Sequence, residues 1–386
     1  MKEYHNEIEN SINKFQTLAE KPWAEKKAVT MKIARSFNRI GYERRVEQLS
    51  NCGTFLEFAK YSNNTLKLHN ANFCRARMCP MCAWRRSLKV GYQVSQVLDY
   101  ALKNNHNKLL FLTLTVKNVE SEKLSETISE LFKGYDNMFR HPRVKKAVKG
   151  AFRALEVTYN ARTNSYHPHL HCILLVDHTY GGYNDKSFIG QREWSELWKE
   201  CMGIEYIPIV DIRKVRPNRR SYDNTTGIAA EVSKGETLVQ ENLSLSDYVS
   251  KGVIDDDICL PNSVLDEVIK TLDDSLAHRK LISFRGELLQ IWKALDQDDI
   301  EDGDLVHVKG DEMNEQLEYV LVKYKWMLGG YVMLNDENEP VSIDVLRGPR
   351  DSAGPVDTDT DNIPEDVPEL GKSLMMNIEM DGECMT

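Results

Sequence analysis

Nowhere in this 386-residue chain do about eighteen apolar residues follow one another, so no segment is expected to cross a membrane as a helix. The first residues, "MKEYHNEIENSINKFQ", lack the apolar stretch of a secretory signal. A cytoplasmic protein is the expectation that follows. No internal repeat is present. Histidine is scarce, with 10 in the whole chain, yet three of them stand at alternate positions in "YHPHLHCILLV", as His167, His169 and His171. In a β-strand, residues i, i+2 and i+4 share one face. This stretch therefore aims up to three imidazoles at one point, while Leu170 and Cys172 face the other way.

With 41% hydrophobic and 28% charged residues, the chain reads as globular and soluble. Its net charge of −9 hides an asymmetry. Residues 294–386 hold 24 acidic and 6 basic side chains, which leaves 35 acidic and 44 basic ones in residues 1–293. A basic body with an acidic tail points to a polyanionic ligand, or to a tail that aids solubility. Four of the eight cysteines, Cys52, Cys74, Cys79 and Cys82, fall within 31 residues. In a cytosolic chain such a cluster reads as metal binding rather than disulfide.

The patterns predict a helical N-terminal segment over 1–50 and a cysteine-bearing segment over 51–86. An amphipathic helix follows, with Val90, Val94, Val97 and Leu98 on one face. "KLLFLTLTVKN" (108–118) is a strand. The next helix starts at a cap-like Ser121 and turns Leu124, Ile128, Leu131 and Phe132 to one side. "GAFRALEVTYN" and "YHPHLHCILLVD" are strands joined by the turn-rich "NARTNS". "QREWSELWKECM" is a helix and "EYIPIVDIRKV" a strand. The order β-α-β-β-α-β is that of a ferredoxin-like α+β domain, here expected as a central antiparallel sheet with helices on one side. Residues 227–293 read as mostly helical, "LEYVLVKYKWMLGGYVML" as strand-like, and 349–386 as an acidic, disordered tail.

Alternate imidazoles on a strand suit one divalent metal if a third donor completes the set. Glu156, on the preceding strand, and His167 are the candidates. The competing reading is a pair of hydrogen-bonded surface histidines. Cys-x2-Cys in "CPMC", with Cys74 and the remote Cys52, supplies four soft ligands for Zn²⁺. Such a site is closed and therefore structural, and buried free thiols are the alternative. In "FCRARMCPMCAWRRS", Arg75, Arg77, Arg85 and Arg86 are candidate phosphate contacts, and Trp84 a base-stacking residue. The basic run "RKVRPNRR" adds Arg213, Lys214, Arg216, Arg219 and Arg220. Tyr248 has Lys251 one helical turn later, but spacing alone favours a packing role for it.

Together these motifs resemble the replication initiators of rolling-circle plasmids, the family found in small plasmids of Gram-positive bacteria, within the HUH endonucleases. "FLTLTVKN" resembles the first motif and "HPHLHCILLV" the second, with His169 and His171 as metal ligands. "FCRARMCPMCAWRRS" resembles the cysteine-rich segment, and "HRKLISFRG" a C-terminal stretch. The likeness covers roughly 50–310.

The resemblance implies a domain order of an N-terminal helical segment (1–50), a zinc module (51–86), an HUH-type endonuclease domain (87–255), a helical and strand region (256–348) and the tail (349–386). It implies a metal-dependent enzyme, using Mn²⁺ or Mg²⁺ beside a structural Zn²⁺, that nicks and rejoins one strand. The expected products are a 5′-phosphotyrosine and a free 3′-OH. Its partners would be plasmid origin DNA, single-stranded or as a hairpin, and the host helicase and replication machinery; a dimer or larger oligomer is left open.

The third motif departs from the family pattern Glu-x-x-Lys-Tyr-x-x-Lys. "AAEVSKGETL" supplies Glu231 and Lys234, but Gly235 stands at the tyrosine's position. Tyr248 with Lys251 is the favoured substitute and Tyr222 its competitor; Glu231 is the residue for termination. The departure supports an alternative, a catalytically inactive zinc-containing DNA-binding regulator. A third class, a small-substrate metal hydrolase, fits the basic body poorly. A mobilising relaxase shares the chemistry, but its nucleophile usually precedes the histidines.

Overall fold

The structure is a computed structural model that describes residues 22–63, 65–103, 106–215, 261–299, 301–308, 318–327, 329–341 and 346–347. Glu231, Tyr248, Lys251, Tyr222, Gly235, Arg216, Arg219, Arg220 and the segment 349–386 lie outside the described residues. No described helix is long and apolar enough to cross a membrane.

The chain opens with helices α1 (Trp23–Arg39) and α2 (Glu43–Asn51), then the hairpin β1 (Phe55–Tyr61) and β2 (Leu66–Ala71). Helix α3 (Pro80–Leu102) leads to β3 (Asn107–Thr115), α4 (Ser121–Arg140), α5 (Pro142–Ala147), β4 (Val148–Asn160) and β5 (Ser165–Asp177). Helix α6 (Gln191–Met202) and β6 (Val210–Lys214) follow. Beyond 261 come α7 (Asn262–Leu276), β7 (Ile282–Gly286), α8 (Glu287–Ala294), β8 (Tyr319–Met327), β9 (Gly330–Leu334) and β10 (Leu346–Arg347).

The architecture is α+β with antiparallel sheets, as expected. The main sheet runs β6-β3-β5-β4-β7, and every pairing in it is antiparallel. Its four sequence-predicted strands lie as fourth, first, third and second, which is the split β-α-β arrangement. Strand β7 is an addition, formed by "ISFRG" inside a region expected to be helical. The helix at 121 begins with Ser121 in its first turn and Glu120 in the capping position, without a side-chain cap bond.

Helices cover both faces of this sheet, not one. Leu110, Leu112, Leu114, Leu170, Cys172, Leu174 and Val176 pack on α4 and α6 through Leu131, Tyr135, Trp194 and Trp198. On the opposite face Leu109, Phe111, Phe152, Ile173 and Leu175 pack on α3 and α8 through Val90, Val94, Val97, Leu98 and Leu288. The unbroken apolar run "CILLV" requires this, because alternate residues of a strand point to opposite faces and each needs cover.

A second sheet, β10-β9-β8-β1-β2, joins the cysteine segment to the C-terminal strands. Seven pairs tie β1 to β8, from Phe55 opposite Lys325 to Tyr61 opposite Tyr319. One core links α1, α2, this sheet and α7, and reaches the hairpin end of the main sheet at Val157, Tyr159 and Tyr166. The buried indole of Trp23 belongs to it, edge-on to Phe58 and Trp84.

Gly286 ends β7 at φ +60° and ψ −138°, a region open in practice to glycine alone. A Cβ there would collide with the Lys149 carbonyl oxygen. Gly286→Ala is therefore expected to cost about 3 kcal/mol, read as a lowered urea midpoint with an unchanged slope.

Candidate metal centre and cysteine cluster

Along the α3-covered face of β5 the side chains change character. Leu175 and Ile173 lie under the helices; His171 and His169 continue the same row beyond them. The neighbouring strands change in step, from Phe111 to Thr113 and Thr115 on β3 and from Ala154 to Glu156 on β4. Register places Glu156 directly opposite His169, Ala154 opposite His171, and Thr113 and Thr115 opposite His171 and His169. Among the described residues, the apolar contacts with the helices end where the side chains become potential metal donors.

Three donors converge there. Glu156 Oε2 lies 2.9 Å from His171 Nε2 and 3.4 Å from His169 Nε2, and the two Nε2 atoms are 3.1 Å apart. The other nitrogen of each ring is held by the strands: His169 Nδ1 donates to the His167 carbonyl at 3.1 Å, and His171 Nδ1 lies 3.3 Å from Thr113 Oγ1. Such outer partners fix ring orientation and leave Nε2 for a metal. Two nitrogens and a carboxylate oxygen at these distances need protons or a cation among them. Burial opposes ionisation of Glu156, but hydrogen bonds from His169 and His171 and their charge more than offset it, holding its carboxyl at about 2. The group is buried enough to be ordered and still reachable, with side-chain exposures of 13% for Glu156 and 19% for His171. The residues present thus fit a divalent cation.

His167 is not among the converging donors. Its ring lies 5.1 Å from that of His169, and its buried Nδ1 has no partner. Burial, then the neighbouring His169, pull its pKa down to about 4. Of the two candidates for third ligand, the geometry brings in Glu156. Thr113 is the contributor that sequence reading passed over. The signal was there in "FLTLTVKN", where threonines alternate with leucines in a strand otherwise buried on both faces.

The four cysteines also converge. Cys52 Sγ lies 3.4 Å from both Cys79 Sγ and Cys82 Sγ, and Cys74 Sγ lies 3.8 Å from Cys82 Sγ. All are free thiols. Four sulfurs about 2.3 Å from a shared tetrahedral ion stand about 3.8 Å apart, so the cluster suits a metal and not a disulfide. Cys52 follows α2, Cys79 caps the N-terminus of α3, and the Cys74 and Arg75 amides donate to Cys52 and Cys82. Lys27 is wholly buried and donates to the Ser50 and Cys52 carbonyls at 2.7 and 2.8 Å. Its burial lowers its pKa, against the opposing pull of the cysteines.

The arginines around the cluster do not form an open phosphate site. Arg85 is 0% exposed; its guanidinium lies near the Trp23 and Trp84 rings and donates to the Leu305 and Val306 carbonyls. It cannot reach a phosphate, which corrects its assignment as a DNA contact. Arg77 pairs with Glu301 at 3.2 Å and donates to the Arg279 carbonyl. Arg86 donates to the Glu301 and Arg75 carbonyls. Arg75 is exposed, with one long bond to the Asp302 carbonyl. Trp84 is half-buried against Trp23. On β6, Arg213 is exposed and paired with Asp211 at 2.6 Å, and Lys214 is exposed.

The sequence model of the replication protein family matches residues 65–332. A "Protein rep" of a Bacillus species is 38% identical over 297 residues, 75% of this chain and 92% of that protein. A "Protein rep" of Bacillus amyloliquefaciens is 38% identical over 80% of this chain and 93% of its own length. One from Streptococcus pneumoniae serotype 2 is 33% identical over 83% and 95%. No solved structure matches. The chain belongs to the replication protein family, the family its motifs resemble.

Two outcomes are expected. Thr113→Val, which keeps shape and removes the hydroxyl, weakens Mn²⁺ binding about tenfold, while Thr113→Ser keeps it; titration calorimetry reads both. Cys79→Ser releases the metal that the native chain retains through dialysis, and lowers its thermal midpoint. A native chain with no bound metal by elemental analysis would contradict the second.

Proposed function

We propose that this chain initiates rolling-circle replication of a plasmid by cutting and rejoining one strand at the origin. What carries this reading is the convergence of Glu156, His169 and His171 on one face of the sheet, with the other nitrogen of each ring tied back to the strands, in a replication protein with a basic body. A divalent cation held by these three would polarise a phosphate oxygen, and two nitrogen donors favour Mn²⁺ over Mg²⁺. The four cysteines would hold Zn²⁺ in a closed, structural site.

The rest of the chemistry falls to the chain's own groups. Glu156 and the imidazoles fix one end of the site through the strand register. The Tyr248 hydroxyl attacks the scissile phosphorus in line, forming the Tyr–O–P bond as the bond from phosphorus to the 3′ oxygen breaks. The tyrosine's proton is lost, and the departing oxygen gains one to become the 3′-OH primer. Lys251 steadies the phenolate, whose ordinary pKa of about 10 is too high for a free tyrosine to react well. Glu231 serves as general base for water at termination. Arg213, Lys214, Arg216, Arg219 and Arg220 supply backbone contacts. Origin DNA, single-stranded or extruded as a hairpin, is the substrate, and the host helicase and replication machinery act next.

Gly235, at the position where the family pattern has tyrosine, favours a second reading: a metal-containing DNA-binding regulator without cleavage. The same experiments separate the two. His169→Ala and His171→Ala are expected to lower Mn²⁺-dependent nicking of the chain's own plasmid by more than about 100-fold, beyond the cost of losing an outer partner. Duplex origin binding should change little, since basic residues outside the site supply most of it. Tyr248→Phe should stay folded and bind metal and DNA, yet form no covalent adduct by mass spectrometry. An adduct on Tyr222 would move the nucleophile, and none on any tyrosine of the wild type would favour the regulator.

A further inference from the structure

The turn between α6 and β6, "GIEYIPI", exposes two large apolar side chains two strands away from the converging donors. Ile207 is 63% and Ile209 79% exposed, whereas Pro208 and Val210 between and after them are buried. The turn is held in place from several sides. Thr115 Oγ1 donates to the Ile209 carbonyl at 2.8 Å. The Lys117 amide donates to the Tyr206 hydroxyl at 3.0 Å, and Gln191 Nε2 donates to the Val210 carbonyl at 3.0 Å. The isoleucines are thus presented to solvent by a fixed backbone.

Register gives the direction of Ile209. Val210 pairs with Leu114 and packs against α4 and α6, while Asp211 pairs with Thr113. Alternation therefore turns Ile209 to the face of Thr115, His169 and Glu156. Thr115 pairs with His169, so Ile209 stands two strand spacings from the donors, roughly 10 Å. That is about the reach from a phosphate at the metal group to the base of an adjoining nucleotide. Lys117, exposed, carries its ammonium 4.4 Å from the centre of the Tyr206 ring. An apolar shelf with one cation at its edge matches what an unstacked nucleotide presents, a flat base and a charged backbone.

We propose that Ile207 and Ile209, flanked by Tyr206 and Lys117, form a shelf that seats a base of single-stranded DNA next to the phosphate being cut. The shelf rests on the nicking reading and adds to it a contact with a base, not with phosphate. It is indifferent to sequence, because every base has an apolar face.

The test uses the full chain and two probes. One is a thymidine oligomer of about twelve nucleotides, the other its abasic counterpart. Wild type should bind the thymidine strand about tenfold more tightly than the abasic one. The Ile207→Ser, Ile209→Ser double variant should bind both alike, at the abasic level, with unchanged thermal midpoint and unchanged Mn²⁺ affinity. A preference for bases that survives in the double variant overturns the shelf. So does a change in sedimentation on substitution, which would seat a second copy there. Nicking of the encoding plasmid by wild type is measured alongside. A plasmid left intact overturns the nicking reading itself, whereas nicking with an unchanged base preference overturns the shelf alone.

Discussion

The convergence of Glu156, His169 and His171 depends on the register of β5. A strand's side-chain period is two, so a slip of one residue exchanges its faces. For β5 that slip would drive His169 and His171 against α4 and α6 and turn Leu170 and Cys172 outward. The register is held by long ladders on both sides, with β3 and with β4. The one irregularity on β4 falls between Val148 and Gly150, at the end away from the histidines. Gly150 is needed there because a Cβ would press on the Leu288 amide. The irregularity lies at the helix-covered end, and the end that carries Glu156 and the histidines is regular.

The cysteine cluster plays the corresponding part for the second sheet. It gathers the end of α2, the start of α3 and the hairpin between them, and Tyr331 of β9 reaches in to donate to the Gly53 carbonyl at 2.5 Å. Arginines nearby complete the fastening. Arg85 lies in a fully desolvated place where its donors meet backbone carbonyls and its plane meets indoles. The segment 296–304 answers the rest, with Asp298 bonding Lys89 at 2.7 Å and Glu301 accepting from the Leu281 and Ile282 amides. Positive charge in "FCRARMCPMCAWRRS" is therefore largely spent on holding the protein together.

That use explains what the sequence could and could not reveal. The spacing of His169 and His171, the carboxylate on the preceding strand and the order of strands and helices are local patterns, and local patterns survive in a single sequence. The pairing of β1 with β8 spans more than 250 positions and leaves no such trace. The same holds for β7, a five-residue strand whose identity comes from lying beside β4. Arginine in an arginine-rich segment looks the same whether it faces water, phosphate or a carbonyl. Only the fold shows that Glu301 and Asp302, which composition assigns to an acidic tail, are partners of that segment. Helices on both faces were implied by "CILLV", a run too apolar for a half-solvated strand.

The two clusters differ in what their geometry permits. Four cysteine sulfurs within 4.8 Å of one another are enough donors to fill a tetrahedral site. Glu156, His169 and His171 are three donors on one face of a sheet, with side-chain exposures of 10–19%. Three ligands from one flat surface cannot enclose an ion; they can only present it. The donor types differ in the same sense, sulfur suiting soft metals and nitrogen with oxygen suiting harder ones. The sheet supplies the flatness, since cross-strand neighbours on one face point in parallel and cannot close over what they hold. The three donors thus share one face of the sheet, and by strand alternation Ile209 belongs to that same face.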